Sequence, residues 1–327
     1  MEVCGTHTMA AARAGLRSIL PENIGLISGP GCPVCVTDIG YVDHALALAA
    51  RPNLIIATFG DLMRVPGSVR GNGPAPNLIG ARARGAHVEV VYSPLDAVNL
   101  AQKHPSSEVV FLGVGFETTA PTVAAAILRA KSLGLTNFSV LSAHKTIPEA
   151  MVALVSTGDL ALDGFLCPGH VSIILGPEPY KPLAATHGIP CAIAGFEVVE
   201  ILRGMAALVQ MVVKGEPQVV NCYAGAVRPG GNTKARDIMY EVFAGAHSVW
   251  RGLGTIPHSG LTIRGSYESF DAACRFDVDL PEPIEPRECR CGDVLRGAIS
   301  PDQCPLFGQT CTPDNPRGAC MVSSEGS

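Results

Sequence analysis

Cys289, Cys291, Cys304, Cys311 and Cys320 lie between residue 289 and Ser327, in a Gly/Pro-rich stretch with too little apolar content to close a core alone. A segment of that composition orders only around something other than packed hydrophobic side chains. Three more cysteines stand near the opposite end, Cys4 in CGTHT and then Cys32 and Cys35 in GPGCPVC. Their remoteness in sequence and their different surroundings predict two separate sulfur sites.

At 327 residues the chain is long enough for two or three domains, each with its own core. Apolar residues make up 47% and charged residues 16%, with only 5% aromatics, while 36 Gly and 26 Pro supply many turns, a profile usual for compact α/β proteins. The net charge of −5 and the absence of a Lys/Arg cluster argue against nucleic acid, which needs a basic footprint. The first twenty residues lack the layout of a secretory signal, and the longest apolar runs, such as Met205 to Val213, are too short to span a bilayer. A cytoplasmic protein is expected, and in a reducing compartment its 12 cysteines point to metal ligands, redox thiols or small buried hydrophobes before a disulfide framework.

From residue 24 to about 215 the sequence alternates short β-branched runs with segments of helical period, which predicts βαβ units and parallel sheet. Seven strands are expected: Ile24 to Ser28, Leu54 to Phe59, Val88 to Tyr92, Val109 to Val114, Phe138 to Ser142, Gly164 to Cys167 and Cys191 to Ala194. Most end in a Gly or Pro turn carrying a polar residue, and in open α/β sheets the ligand crevice lies at the carboxyl ends of strands. LISGPGCPV followed by ATFGDLM echoes FLCPGHVSI followed by AIAGFEVVE, which suggests two related α/β lobes around a cleft. The resulting division is lobe I over 20–120, lobe II over 121–215, and a third, cysteine-rich domain formed by 1–19 and 216–327. Within the last, NCYAGAVRPGGNTKARDIMYEVF reads as strand, turn and helix, and PEPIEPREC as a linker.

Cys32-Pro33-Val34-Cys35 is a CxxC after a Gly-Pro-Gly turn, with Pro33 suited to the first turn of a helix. A thiol there sees the positive end of the helix dipole, which favours thiolate, and the two sulfurs are close enough to oxidise to a disulfide. Cys4 and His7 sit three apart at the start of a predicted helix, where Thr6 and Thr8 are candidate caps and His7 a candidate tuner of the thiol. Cys4, Cys32 and Cys35 together offer soft ligands for iron, copper(I) or zinc. Glu117, Ser142, His144, Lys145, Cys167 and His170 end neighbouring strands, a titratable cluster that stability alone does not ask for. Thr118 and Thr119 serve equally as helix caps. The tail spacing lacks the paired knuckles of a zinc ribbon and favours a cysteine-ligated iron–sulfur cluster, held by Cys289, Cys304, Cys311 and Cys320 with Cys291 as the alternate for Cys289; zinc is the rival.

CGTHT, GPGCPVC, GFETTAP at 115 to 121, SAHK at 142 to 145, PGHVS at 168 to 172 and CGDVLRG with the cysteine motif that follows it closely resemble the HypD family of [NiFe]-hydrogenase maturation, over essentially the whole chain. The resemblance implies a monomeric, three-domain [4Fe-4S] protein that joins HypC to form the scaffold on which an Fe(CN)2CO unit is assembled, with cyanide delivered by HypE and HypF upstream. It implies a maturation scaffold with redox activity and not a conventional turnover enzyme. By the same resemblance Cys4, Cys32 and Cys35 hold iron, with Cys32 the ligand shared with a HypC cysteine. His7, Glu117, Thr118, Thr119, His144 and His170 line the cleft, and the tail cluster passes electrons to the Cys32/Cys35 pair. Two departures stand out: the family carries a longer segment before CGTHT, including a helix expected to pack on the third domain, and it continues past SSEG into another cysteine. The runner-up function is an iron–sulfur-dependent thiol/disulfide oxidoreductase acting on a protein substrate.

Overall fold

The computed structural model describes residues 1–69, 74–156, 158 and 162–322. Those residues form an α/β structure with two parallel sheets and one antiparallel hairpin. The first sheet has the order β2-β1-β3-β4, from β1 (Leu54–Thr58), β2 (His87–Val90), β3 (Glu108–Gly113) and β4 (Phe138–Ser142). The second has the order β5-β6-β7, from β5 (Phe165–Pro168), β6 (Cys191–Ala194) and β7 (Val219–Asn221). The hairpin is β8 (Phe243–Trp250) and β9 (Gly254–Ile263), with a register shift between Ala246 and Ser248.

Alternate residues of each strand feed different cores, because successive side chains leave opposite faces of a sheet. In β1, Ile56 joins a central core and Ile55 and Ala57 an outer one; in β5 and β6, Phe165, Cys167, Cys191 and Ile193 join the central core, while Leu166, Ala192 and Ala194 pack under the helices Gly5–Arg13 and Val198–Lys214. Both faces are covered, so the strands read as unbroken apolar runs.

Six of the seven expected strands are present, and three expectations need correction. Ile24 to Ser28 is no strand: Ser28 makes one parallel bridge to Glu2, which also bridges Leu166, so the Glu2 segment lies between Ser28 and β5 and joins this stretch to the second sheet in place of the first. Phe138–Ser142, assigned above to lobe II, pairs with β3 from Val109↔Phe138 to Gly113↔Ser142 and completes the first sheet. Val219–Asn221, assigned to the third domain, pairs with β6. Parallel pairing is non-local, so sheet membership does not follow from chain order.

Gly31 shows how tightly the two ends of the site region are joined. Its carbonyl accepts from Gly5 N–H at 3.3 Å, and a Cβ there would run into the Val3–Cys4 backbone. Gly31→Ala is expected to lower stability by about 1–3 kcal/mol, whereas Gly25→Ala, which meets nothing within 4 Å, stays close to wild type. Urea unfolding of both variants checks this, and equal midpoints would contradict the close approach.

Candidate functional site

The CxxC begins a four-residue helix, Pro33–Val36, with Cys32 at the N-cap: its Sγ accepts from Cys35 N–H at 3.2 Å. Pro33 fills the first helical position as expected, since its missing N–H would have no partner there. Cys32 and Cys35 are joined as a disulfide, with Cα atoms 5.3 Å apart. Both are buried, at 3% and 0% exposure.

Cys4 is the N-cap residue of the helix Gly5–Arg13, in place of the expected Thr6 or Thr8. The Thr8 hydroxyl instead donates to Glu2 Oε1 at 2.5 Å, and Glu2 Oε2 accepts from Cys4 N–H at 3.1 Å. Through Gly31 this turn sits directly on the segment that carries Cys32 and Cys35. Burial pushes the Cys4 thiol up to about 11 despite the helix amides that favour thiolate, so it keeps its proton at neutral pH.

Burial likewise keeps most of the strand-end groups neutral. His7 is wholly buried and lowered to about 4; its Nε2–H donates to Gly195 O at 2.8 Å, which leaves Nδ1 as a bare lone pair without a partner. His144 is lowered to about 3 by burial, with Nδ1 against Ser142 Oγ at 3.0 Å and Nε2 unpartnered. Glu117 is raised to about 8, first by burial; Oε1 accepts from Ile147 N–H at 2.9 Å and Oε2 has no partner. His170 is exposed and stacks on Phe196 with ring centroids 4.0 Å apart, and His7 approaches the same ring at 4.9 Å. Thr119 precedes the helix Ala120–Ser132, but its hydroxyl donates back to Phe116 O at 3.2 Å without capping it. Thr118 stands beside it, half-buried. Cys167, expected among the strand-end groups of the cleft, points instead into the central core beside Cys191.

The structure adds a feature that sequence reading missed, the hairpin β8–β9. Thr37 and Trp250 form an antiparallel bridge, and Arg251 N–H donates to Val36 O at 2.8 Å, one residue beyond the CxxC. Lys145 bridges Gly260, and its Nζ donates to Ser248 Oγ at 2.8 Å and Val249 O at 2.5 Å beneath the Trp250 ring. Burial lowers that ammonium to about 8. Trp250, wholly buried, stacks on Phe116 of GFETTAP, and its Nε1–H donates to Ser259 Oγ at 2.7 Å. The chain's single Trp was the one available signal.

All five tail cysteines face one cavity of about 40 Å³, walled also by Val294, Leu306, Phe307 and Met321. Cys320 N–H donates to Cys291 Sγ at 3.4 Å and Arg317 N–H to Cys311 Sγ at 3.2 Å. The Cys291 sulfur, then burial, hold the Cys289 thiol far above its ordinary range; Cys291 reaches about 12, lowered by its hydrogen bond with Cys289 and raised more by Cys320 and burial. A Cβ on Gly318 would sit 2.7 Å from Cys289 Sγ, so glycine lets backbone approach the sulfurs. The short helix Pro33–Val36 packs on the 3-10 turn Ala319–Met321, which brings the two sulfur sites together. Among the described residues no three Cys, His, Asp or Glu side chains already stand as a metal cage. The donor set suits iron–sulfur chemistry, and the Cys289, Cys291 and Cys320 sulfurs are in mutual contact. Residues 323–327, which end the tail motif, lie outside the described residues.

A cysteine-rich α/β protein with a buried CxxC disulfide held against a second sulfur site is the class that this geometry defines. The family model HypD, described as "Hydrogenase formation hypA family", matches residues 1–327. The chain is 47% identical to the hydrogenase maturation factor HypD of Azotobacter vinelandii, 45% to that of Cupriavidus necator and 43% to that of Escherichia coli K12, in each case over all of this chain and 86% of the relative. The chain belongs to the HypD family of hydrogenase maturation factors. Among the described residues no helix is long and apolar enough to cross a membrane.

The buried carboxyl gives a test by pH. Unfolded, Glu117 ionises near 4.5; folded, it keeps its proton to about 8. The folded state therefore holds the extra proton between those values, and the stability this group contributes is full below 4.5 and lost as pH rises through about 8. Glu117→Gln should flatten the loss between about pH 5 and pH 8 by on the order of 1–3 kcal/mol. Urea unfolding at the two pH values reads it, and an unchanged pH slope would refute a protonated Glu117.

Proposed function

We propose that this protein is a hydrogenase maturation scaffold that, with HypC, binds iron through Cys4, Cys32 and Cys35 while the Fe(CN)2CO group is assembled, and that the tail cysteines hold a [4Fe-4S] cluster. The observation that carries the reading is the convergence at one short helix: Cys4 packs on Gly31, Cys32 caps Pro33–Val36, and Ala319–Met321 packs on the same four residues. Soft thiolates suit low-spin ferrous iron that bears cyanide, and two adjoining turns would supply three of them.

Opening the disulfide takes two electrons and two protons and yields two thiols. The tail cluster, when present, supplies electrons singly from an external low-potential donor. Cys289, Cys304, Cys311 and Cys320 are its proposed ligands, and Cys291, more buried and against both Cys289 and Cys320, is an alternate for Cys289. Iron arriving at Cys4 displaces the proton that burial keeps on it, so loading releases protons and weakens as pH falls. His7, Glu117 and His144 keep the surroundings neutral and dry, which excludes water and oxygen from the iron. His170, exposed beside Phe196, is positioned to meet an incoming partner such as HypC or the cyanide donor HypE. A cytoplasmic location and a monomeric state outside the HypC complex belong to the same reading.

The alternative is a thiol/disulfide oxidoreductase for a protein substrate, which the closed Cys32–Cys35 disulfide favours. The depth of both sulfurs argues the other way, because exchange needs an accessible sulfur. Infrared spectroscopy of the protein purified without oxygen with HypC, from cells making all accessory proteins, decides between them. Two cyanide bands and one carbonyl band are expected in wild type. Cys32→Ala should lose those bands and keep the visible iron–sulfur absorption, and Cys304→Ala, with an added dithiol reductant to open the disulfide in the cluster's place, should do the reverse; loss of both signals in either variant would contradict two separate sites.

A further inference from the structure

Arg251 is buried at 3% exposure, yet its Nε and Nη1 have no hydrogen-bond partner. Its Nη2 donates to Glu285 Oε2 at 2.8 Å, and the Glu285 side chain is half-exposed. A guanidinium is charged at every working pH, and N–H groups buried without acceptors are costly. A fold that keeps two of them free at such a place is incomplete without an acceptor of negative charge.

The place is specific. Arg251 stands at the hairpin turn, with its backbone N–H on Val36 O at 2.8 Å. The next residue, Gly252, touches Gly292 so closely that a Cβ on either would enter the other's backbone, and Gly292 follows Cys291. The guanidinium field accordingly falls on Cys289 and Cys291 and favours their thiolates.

We propose that Arg251 is the resident counter-cation of the tail sulfur centre, with its free Nε–H and Nη1–H aimed at a cysteine thiolate or bridging sulfide, and that it sets that centre's reduction potential. The inference rests on the reading that the tail holds an iron–sulfur cluster. Reduction adds negative charge to a centre that is already anionic, so an adjacent buried cation favours the reduced form and raises the potential; hydrogen bonds to the sulfurs act in the same direction. The Glu285 carboxylate opposes it, attenuated by solvent. Arg251 thus couples electron acceptance at the tail to the segment carrying the disulfide, through one side chain and its own amide.

The test uses the full chain reconstituted without oxygen with ferrous iron and sulfide, in wild type, Arg251→Gln, Arg251→Lys and Glu285→Gln. Iron and sulfide content is measured first, then the midpoint potential by dye-mediated titration followed in the visible spectrum. Arg251→Gln should shift the midpoint to more negative values, Glu285→Gln to less negative ones, and Arg251→Lys should fall between wild type and Arg251→Gln. If Arg251→Gln assembles no cluster, Glu285→Gln, at a half-exposed position, carries the test alone. A wild-type midpoint in Glu285→Gln, and in Arg251→Gln where that assembles, would overturn the role of Arg251. Wild type that takes up no iron and sulfide would overturn the cluster reading itself, and this inference with it, before any variant is compared.

Discussion

The join between the helix exit at Val36–Thr37 and the hairpin turn Trp250–Arg251 holds the whole site in place. One backbone hydrogen bond, Arg251 N–H to Val36 O, and one bridge, Thr37 to Trp250, tie the exit of the CxxC helix to a remote part of the chain. A helix of four residues has too few internal bonds to persist alone. Trp250 stacks on Phe116 at the carboxyl end of β3, and Lys145 after β4 donates into β8. Through these contacts the first sheet, the disulfide and the tail cysteines share one frame.

How much of this the sequence carried depended on the range of the contact. Phe138–Ser142 and Cys191–Ala194 have the same ends in the structure as in the sequence reading, because a strand covered on both faces is a closed apolar run with clear punctuation. Ile24 to Ser28 has a similar composition, but its neighbour is the short segment around Glu2, which supplies a single bridge. The hairpin strands FAGAHSVW and GTIPHSGLTI carry Gly, Ala, His and Pro in place of a regular alternation and shift register near His247, so period-two pattern recognition passes over them. CxxC spacing made the disulfide readable from four residues. The approach of Cys4 to Gly31 was not, since nothing local in either segment encodes it.

Burial sets the character of the groups in these motifs. His7, His144 and Glu117 are all neutral near pH 7, and each has one polar atom with no partner. An apolar, uncharged enclosure with a few unmet lone pairs resists the entry of isolated charge. Iron can enter such a place when thiolates neutralise it, and Cys4 supplies a thiolate only by giving up a proton that burial otherwise retains. On the proposed reading, metal loading and proton release would be one event at this site, and the burial that keeps the thiol protonated would also keep water from the bound iron.

The same reasoning applies to the disulfide helix. Its cap is the Cys32 sulfur, which accepts Cys35 N–H, so any new bond made by that sulfur would withdraw an interaction that begins the helix. The helix would then rely on contacts that do not involve sulfur. Three are present: Gly5 N–H on Gly31 O before it, Arg251 N–H on Val36 O at its end, and the packing of Ala319–Met321 along its side. Each comes from a segment that also bears, or adjoins, a cysteine of one of the two sulfur sites. A change of partner at Cys32 can therefore be transmitted to Cys4 and to the tail by small backbone shifts, without any large movement of the sheets.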